Sequence, residues 1–194
     1  MNTDVKMLER WRAGEKGAGE ALFGRHFAEV FRFFDGKVGT RAEDLTQQTF
    51  LECTRSRARF RGESSFRTYL FGIAWNELRQ HLRRESKDRN VDVEVSSLDD
   101  LCALTTSPSS RLDRARRADR IRRALARLPV SQQVLLEYHY WHELDAAALA
   151  EIFEATAGTI RVRLLRARAA LREQMARMSP STTSAGPSTR ALHG

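Results

Sequence analysis

Apolar side chains recur along this chain at helical rather than strand spacing. Phe23, Phe27, Val30 and Phe34 stand at i, i+4, i+7 and i+11, which predicts one apolar stripe on a helix near residues 18–37. Ala42, Leu45, Thr49 and Cys53 repeat that spacing and predict a second helix. Ser64 and Ser65 are N-cap candidates for a third, running from Phe66 to about Arg84. Ile121, Leu125 and Leu128 then form a stripe that stops at Pro129, and further helices are expected at 131–141, 145–153 and 156–176. No window alternates with period two for long enough to make a sheet, so the expected class is all-α.

The last two of these helices are separated only by a short break around Glu154-Ala155. Leu149, Ile152 and Phe153 anchor the first; Thr156 is a good N-cap for the second, whose stripe is Ile160, Leu164, Ala167, Leu171 and Met175. A short helix, a tight turn and a longer basic helix make a helix-turn-helix, whose second helix enters the major groove of DNA. At about 100° per residue the stripe leaves Gly158, Val162, Leu165 and Ala169 facing outward. Arg163 and Arg166 flank that face on one side, Arg161, Arg168 and Arg172 on the other. Such arginines would grip phosphates on both walls of a groove, and Val162 and Leu165 could touch thymine methyl groups. The plainer alternative is a solvated basic helix in a bundle, although a surface helix rarely exposes both a valine and a leucine.

Charge divides the chain further. The 194 residues carry a net charge of +8, which favours a polyanionic partner such as nucleic acid. Only four of the 33 basic residues are lysine, a bias that suits forked contacts to phosphate and guanine and that a GC-rich genome would also produce. Residues 1–85 carry a net +4, residues 86–110 a net −3 and residues 111–178 a net +6. The acidic stretch holds Thr105-Thr-Ser-Pro-Ser-Ser110, a loop composition. The expected organisation is therefore two small helical domains, 1–85 and 111–178, joined by an acidic flexible linker, 86–110. Residues 179–194, rich in Ser, Thr, Pro, Gly and Ala, are expected to be disordered.

A second basic cluster lies in the first domain. Arg55, Arg57, Arg59 and Arg61 fall within seven residues, interleaved with Phe60 and Phe66 and hinged at Gly62. This mixture suits single-stranded nucleic acid, with arginines on the backbone and aromatics receiving unstacked bases. Composition alone equally permits Phe60, Phe66 and Trp75 to be core residues and the arginines to be merely solvated.

The order of residues is more telling. Phe60-Arg-Gly-Glu-Ser-Ser-Phe66-Arg-Thr-Tyr-Leu-Phe-Gly-Ile-Ala74, followed by Asn76 and Leu82-Arg-Arg84, strongly resembles extracytoplasmic-function (ECF) sigma factors, the two-domain group of the bacterial sigma-70 family. Ala42-Glu-Asp-Leu-Thr-Gln-Gln-Thr-Phe-Leu51 resembles that family's polymerase-binding helix. Leu128-Pro129 and Gly158-Thr-Ile-Arg-Val-Arg-Leu-Leu-Arg-Ala-Arg-Ala-Ala-Leu171 resemble its fourth region. Together these cover roughly residues 8–84 and 111–176 in the family's order.

The resemblance implies a promoter-specificity factor, not an enzyme, with no cofactor or metal of its own. Asp44, Gln47, Gln48 and Phe50 would meet the clamp helices of the polymerase β′ subunit, Gln48 replacing the family's usual glutamate, and the fourth region would meet the β flap. Arg59, Phe60, Arg61, Ser64, Ser65 and Phe66 would capture a base of the opened minus-ten element, with Asn76, Arg79, Arg83 and Arg84 guiding the strand. Thr159, Arg161, Val162, Arg163, Leu165, Arg166 and Arg168 would read duplex minus-thirty-five DNA. An anti-sigma partner is implied, and the acidic linker is either an RNA-mimicking thread through the polymerase or an ordinary tether. Three departures stand out: Glu154 where the family commonly has glycine, Trp75 where an arginine is frequent, and apolar Val162 and Leu165 at commonly polar positions.

Other classes fare worse. His139, His142 and Glu143 lack a HExxH pattern or an evident third ligand, so aromatic packing with Tyr138, Tyr140 and Trp141 is the expectation. Two cysteines, Cys53 and Cys102, build neither a disulfide scaffold nor a four-cysteine zinc site. The longest nearly apolar run, Tyr69–Trp75, is too short to cross a bilayer, and Met1–Arg10 does not read as a leader, so a cytoplasmic place is expected. The remaining alternative is a stand-alone helix-turn-helix regulator, which accounts for residues 111–176 but not for the motifs at 42–84.

Overall fold

The computed structural model describes residues 3–60, 62, 64–88 and 111–178, and all regular structure among them is helical. The expected linker, apart from its first three residues, and the expected disordered tail lie outside the described residues, as do Arg61 and Glu63. The helices are α1 (Thr3–Arg12), α2 (Lys16–Val38), α3 (Ala42–Ser56), α4 (Phe66–Asp88), α5 (Arg111–Leu125), α6 (Val130–Tyr140), α7 (Ala146–Ile152) and α8 (Ala157–Arg177). Short 3₁₀ turns, Gly39–Arg41 and Arg57–Arg59, bracket α3.

The first helix has no counterpart among the predicted stripes. It docks through Leu8, which is fully buried, and through Trp11, whose ring lies where a Cβ on Gly19 would stand 2.6 Å from Nε1. Any side chain at 19 would therefore displace the Trp11 ring from its seat on α2. The α2–α3 connection turns on Gly39, at φ 52°, whose N–H closes onto Asp35 O. Within α3 the buried Thr46 and Thr49 satisfy their hydroxyls by donating to Ala42 O and Leu45 O, at 2.7 and 2.8 Å. The second apolar stripe is thus a true core face, with Ala42, Leu45, Thr49 and Cys53 all buried.

The first stripe is half right. Val30 and Phe34 are buried, but Phe27 is 45% exposed, and Phe33, which the stripe omits, is fully buried. The reason is that α2 is covered on more than one side. Phe33 faces the second half of the chain, packing with Tyr138 of α6 at 5.2 Å and Phe71 of α4 at 6.2 Å between ring centroids. A single-face periodicity search assigns a helix one burial stripe, and α2 has two.

Residues 3–88 and 111–178 pack directly on one another, sharing a core of Phe33, Phe71 and Tyr138. Tyr138 donates its hydroxyl to Phe71 O at 3.0 Å, so its polar end is not orphaned. Trp75 of α4 lies against Phe153 after α7, at 5.3 Å. A buried charged chain runs alongside. Lys37 of α2, with no exposed side-chain surface, pairs with Glu137 of α6. His142 Nδ1 lies 2.9 Å from Glu29 of α2, and Arg67 of α4 pairs with Glu29 and donates to His142 O at 2.8 Å.

Burial and these partners pull the pKa values in opposite directions. Burial pushes the Lys37 ammonium down, opposed by Glu137. Burial would raise the Glu137 carboxyl, but Lys37 and His142 hold it below its ordinary value. Glu29 is held far below the carboxylate range by His142, His26 and Arg67, against the effect of burial. Burial would lower His142, yet the Glu137 and Glu29 carboxylates that accept from it raise it above an ordinary histidine. His142 is thus a packing and charge-pairing residue, its ring tilted against Phe71 at 4.1 Å.

Candidate nucleic-acid interface

The helix-turn-helix is built locally. Asp145 caps α7, its Oδ1 accepting from Ala147 N and Ala148 N at 3.0 and 2.8 Å. Thr156 caps α8, accepting from Thr159 N at 3.1 Å. Between them Glu154 adopts φ 49°, the left-handed conformation that favours glycine. The turn keeps its closure, with Ala155 N donating to Ala150 O at 2.9 Å, and carries the strain of a side chain there, roughly 1 kcal/mol.

Burial of Ile160, Leu164 and Ala167 fixes the rotation of α8. Arg161, Arg163, Arg166 and Arg172 are exposed, with no carboxylate partner among the described residues. Val162 and Leu165, at 48% and 62% exposure, stand between them, as the wheel predicts. Thr159 is exposed but shares its hydroxyl with Thr156 at 2.9 Å. Arg168 behaves differently, lying over the Tyr140 ring at 5.6 Å and within 3.3 Å of His139 Nε2. Since His139 Nδ1 faces Leu144 O at 3.0 Å and must donate there, Nε2 is left to accept from Arg168.

A cleft of about 630 Å³ opens between α3 and α4, and among the described arginines of the second basic cluster only Arg59 lines it. Arg59, Asn76 and Arg79 line it, together with Glu52, Ser56, Tyr69, Ile73, Glu77 and Gln80. Arg79 donates to Asn76 Oδ1 at 3.0 Å, and Tyr69 donates to Ser56 Oγ at 2.5 Å. Burial and the nearby Glu52 push the Glu77 carboxyl up, with Arg84 opposing. Arg83 and Arg84, further along α4, are exposed. Sequence reasoning missed the Glu52 and Glu77 walls because acidic residues do not stand out within a basic cluster.

Three predicted contact residues are instead core. Phe60 and Phe66 are buried, Phe60 against Tyr69 at 4.9 Å and Phe66 against His26 at 5.6 Å, so they shape the loop rather than face a ligand. Phe50 is also buried, 4.6 Å from the Phe23 ring. Ser65 caps α4 by accepting from Thr68 N at 3.0 Å, and Ser64 donates to Glu151 of α7 at 2.9 Å. On the α3 surface Asp44, Gln47 and Gln48 are exposed, Asp44 pairing with Arg41 at 3.0 Å. Beside them are two exposed apolar side chains the sequence did not single out as surface, Leu51 and Phe27, the latter stacked on Phe31.

Two family models match, in order along the chain: Sigma-70 region 2 over residues 22–88, and Sigma-70, region 4 over residues 118–171. The chain belongs to the ECF group of the sigma-70 family. Among curated relatives, the RNA polymerase sigma-H factor of Pseudomonas aeruginosa is 27% identical over 176 residues, covering 87% of this chain and 91% of that protein. The ECF RNA polymerase sigma-E factor of Haemophilus influenzae is 28% identical over 178 residues, covering 86% and 92%. The RNA polymerase sigma factor CarQ of Myxococcus xanthus reaches 39% over 103 residues, covering 52% and 58%.

Solved structures agree on the fold. CnrH in complex with the cytosolic domain of CnrY superposes with a TM-score of 0.63 at 22% identity, covering 92% of this chain and 100% of that one. RpoE bound to the anti-sigma factor NepR, from Bartonella quintana, gives 0.61 at 22%, covering 82% and 98%. In this sigma factor the region 4 side covers part of region 2, since α7 meets Ser64 and the segment after it covers Trp75. The Trp75 departure is thereby explained as core packing between the two regions.

Proposed function

We propose that this chain binds bacterial core RNA polymerase and directs promoter-specific initiation, with its two regions doing separate work. α3 would dock on the polymerase through Asp44, Gln47 and Gln48, and the exposed Leu51 and Phe27 would supply the apolar part of that contact. The α3–α4 cleft would take a base of the opened minus-ten strand, with Arg59, Asn76 and Arg79 at its walls and Arg83 and Arg84 along the backbone path. α8 would enter the major groove at the minus-thirty-five element, its arginines on phosphates and Val162 and Leu165 on thymine methyls. The domain limits 1–85 and 111–178 follow this division, with the acidic residues between them as a tether.

Initiation chemistry belongs to the polymerase; this chain contributes recognition and strand capture, in the cytoplasm where the chromosome is. None of its described helices is long and apolar enough to cross a membrane. Both structural neighbours above are held in complex with a protein partner, an anti-sigma factor in the case of RpoE, which supports an anti-sigma partner here.

The carrying observation is that both family regions occur in one chain, in order, with the outward face of α8 exposed. Purified chain plus core polymerase on a promoter-fragment library tests the reading. Specific start sites appearing only with both components are expected. Tight operator binding by the chain alone, with no start sites, would instead indicate a stand-alone regulator.

A further inference from the structure

A basic concavity separate from the cleft borders the 3₁₀ turn 57–59. It measures about 500 Å³ and is lined by Arg12 of α1, Arg55 of α3, Arg57 and Ala58. Two of the guanidinium groups are fixed in place by groups other than carboxylates. Arg12 donates through Nε to Arg57 O at 3.0 Å and through Nη2 to the same oxygen at 2.6 Å, and it also reaches Phe60 O. Arg57 donates to Thr54 O at 2.8 Å while its guanidinium lies over the Trp11 ring at 5.0 Å. Arg55 is exposed. No carboxylate among the described residues pairs with any of the three.

Converging cations without counter-charge repel one another, and a bound anion removes that repulsion. The backbone bonds leave Nη1 of Arg12, Nε and Nη2 of Arg57 and the whole Arg55 guanidinium to donate to phosphate oxygens. The position also matters. Arg12 ties the concavity to the carbonyls of Arg57 and Phe60, the entrance of the 59–66 loop, while Arg59 on the same turn faces the cleft. The turn thus contributes to both hollows, Arg59 to the cleft and Arg57 and Ala58 to the concavity.

We propose that Arg12, Arg55 and Arg57 form a phosphate site that holds the backbone of the opened promoter strand beside the captured base. This rests on the minus-ten reading of the cleft. It enlists α1, which no motif marked, and it gives Arg55 and Arg57 a task distinct from that of Arg59.

The test uses holoenzyme assembled from the full chain and core polymerase, binding fork-junction promoter DNA with a single-stranded minus-ten segment. Methylphosphonate replaces one phosphate at a time in the exposed strand. Arg55→Gln is the main variant because Arg55 makes no structural hydrogen bond; Arg12→Lys is the second and retains the charge while losing the fork. Wild-type holoenzyme should show one position where methylphosphonate weakens binding, and that penalty should vanish in Arg55→Gln. The salt slope of Arg55→Gln should be shallower by about 0.7, the value for one phosphate on a single strand. Duplex-only DNA should bind both proteins equally.

A slope and methylphosphonate profile identical to wild type in Arg55→Gln and Arg12→Lys overturns the phosphate site while leaving the cleft reading intact. Wild-type holoenzyme that does not distinguish fork from duplex DNA removes the cleft reading itself. Saturable binding of inorganic pyrophosphate that is lost in Arg55→Gln, with fork binding unchanged, assigns the concavity to a free phosphate ligand and also overturns the proposal.

Discussion

The two long arginine-bearing helices, α4 in region 2 and α8 in region 4, make opposite use of similar sequences. α8 rests on the protein along one stripe and offers its whole outer face, including Val162 and Leu165, to solvent. α4 is enclosed by α2, α3 and the α7 side, so Phe66, Leu70, Phe71, Ala74, Trp75 and Leu78 are all buried and only one flank borders the cleft. A convex helix suits the groove of intact duplex. A helix beside a cleft suits a base that has left the stack, which costs a few kcal/mol that the cleft must return. Under the proposed function the same residue types would serve two jobs because the surrounding packing differs.

The sharpest break in this comparison is truncation. Trp75→Ala on α4 should cost about 3–5 kcal/mol in urea unfolding, the range for removing a buried tryptophan. Leu165→Ala on α8 should stay within about 0.5 kcal/mol, as for a surface site. Equal costs would mean that α8 packs against something or that α4 is open. Lys37→Met should be comparably severe, about 3–5 kcal/mol, because it strands the Glu137 carboxylate in the interior. Lys37→Met with Glu137→Leu should recover most of that loss, and no recovery in the double variant would contradict a simple buried pair.

These predictions also show what could be read in the chain. The wheel of α8 was legible because one stripe of Ile160, Leu164 and Ala167 decides its rotation. Phe33 and Trp75 were not, since their partners, Tyr138 and Phe153, come from the far half of the chain. Phe50, Phe60 and Phe66 were placed on surfaces by resemblance, and their burial shows that motif residues can be scaffold for their neighbours. The exposure of Phe27 is hidden for the converse reason: a residue in an apolar stripe reads as core until its surroundings are seen.

Two smaller effects sharpen the turn and the junction. Glu154→Gly should stabilise the fold by about 1 kcal/mol, because glycine adopts φ 49° without a Cβ penalty. No gain in the unfolding midpoint would mean the turn is not strained. His142 is raised where the regions pack, so protonation favours that packing. Its contribution is complete below the ordinary histidine value of about 6.5 and fades as pH rises through the raised value. Wild type should therefore lose more stability than His142→Gln between pH 6 and pH 9, and parallel curves would remove His142 from the junction's pH response.

Binding by holoenzyme to two probes, a duplex minus-thirty-five fragment and a fork-junction minus-ten fragment, tests the division of labour most directly. Arg161→Ala with Arg163→Ala should weaken the duplex probe and flatten its salt dependence by about 1.8, two phosphates' worth, while sparing the fork. Arg79→Ala should weaken the fork and spare the duplex. Both variants losing both probes alike would contradict separate duplex and single-strand sites on α8 and α4.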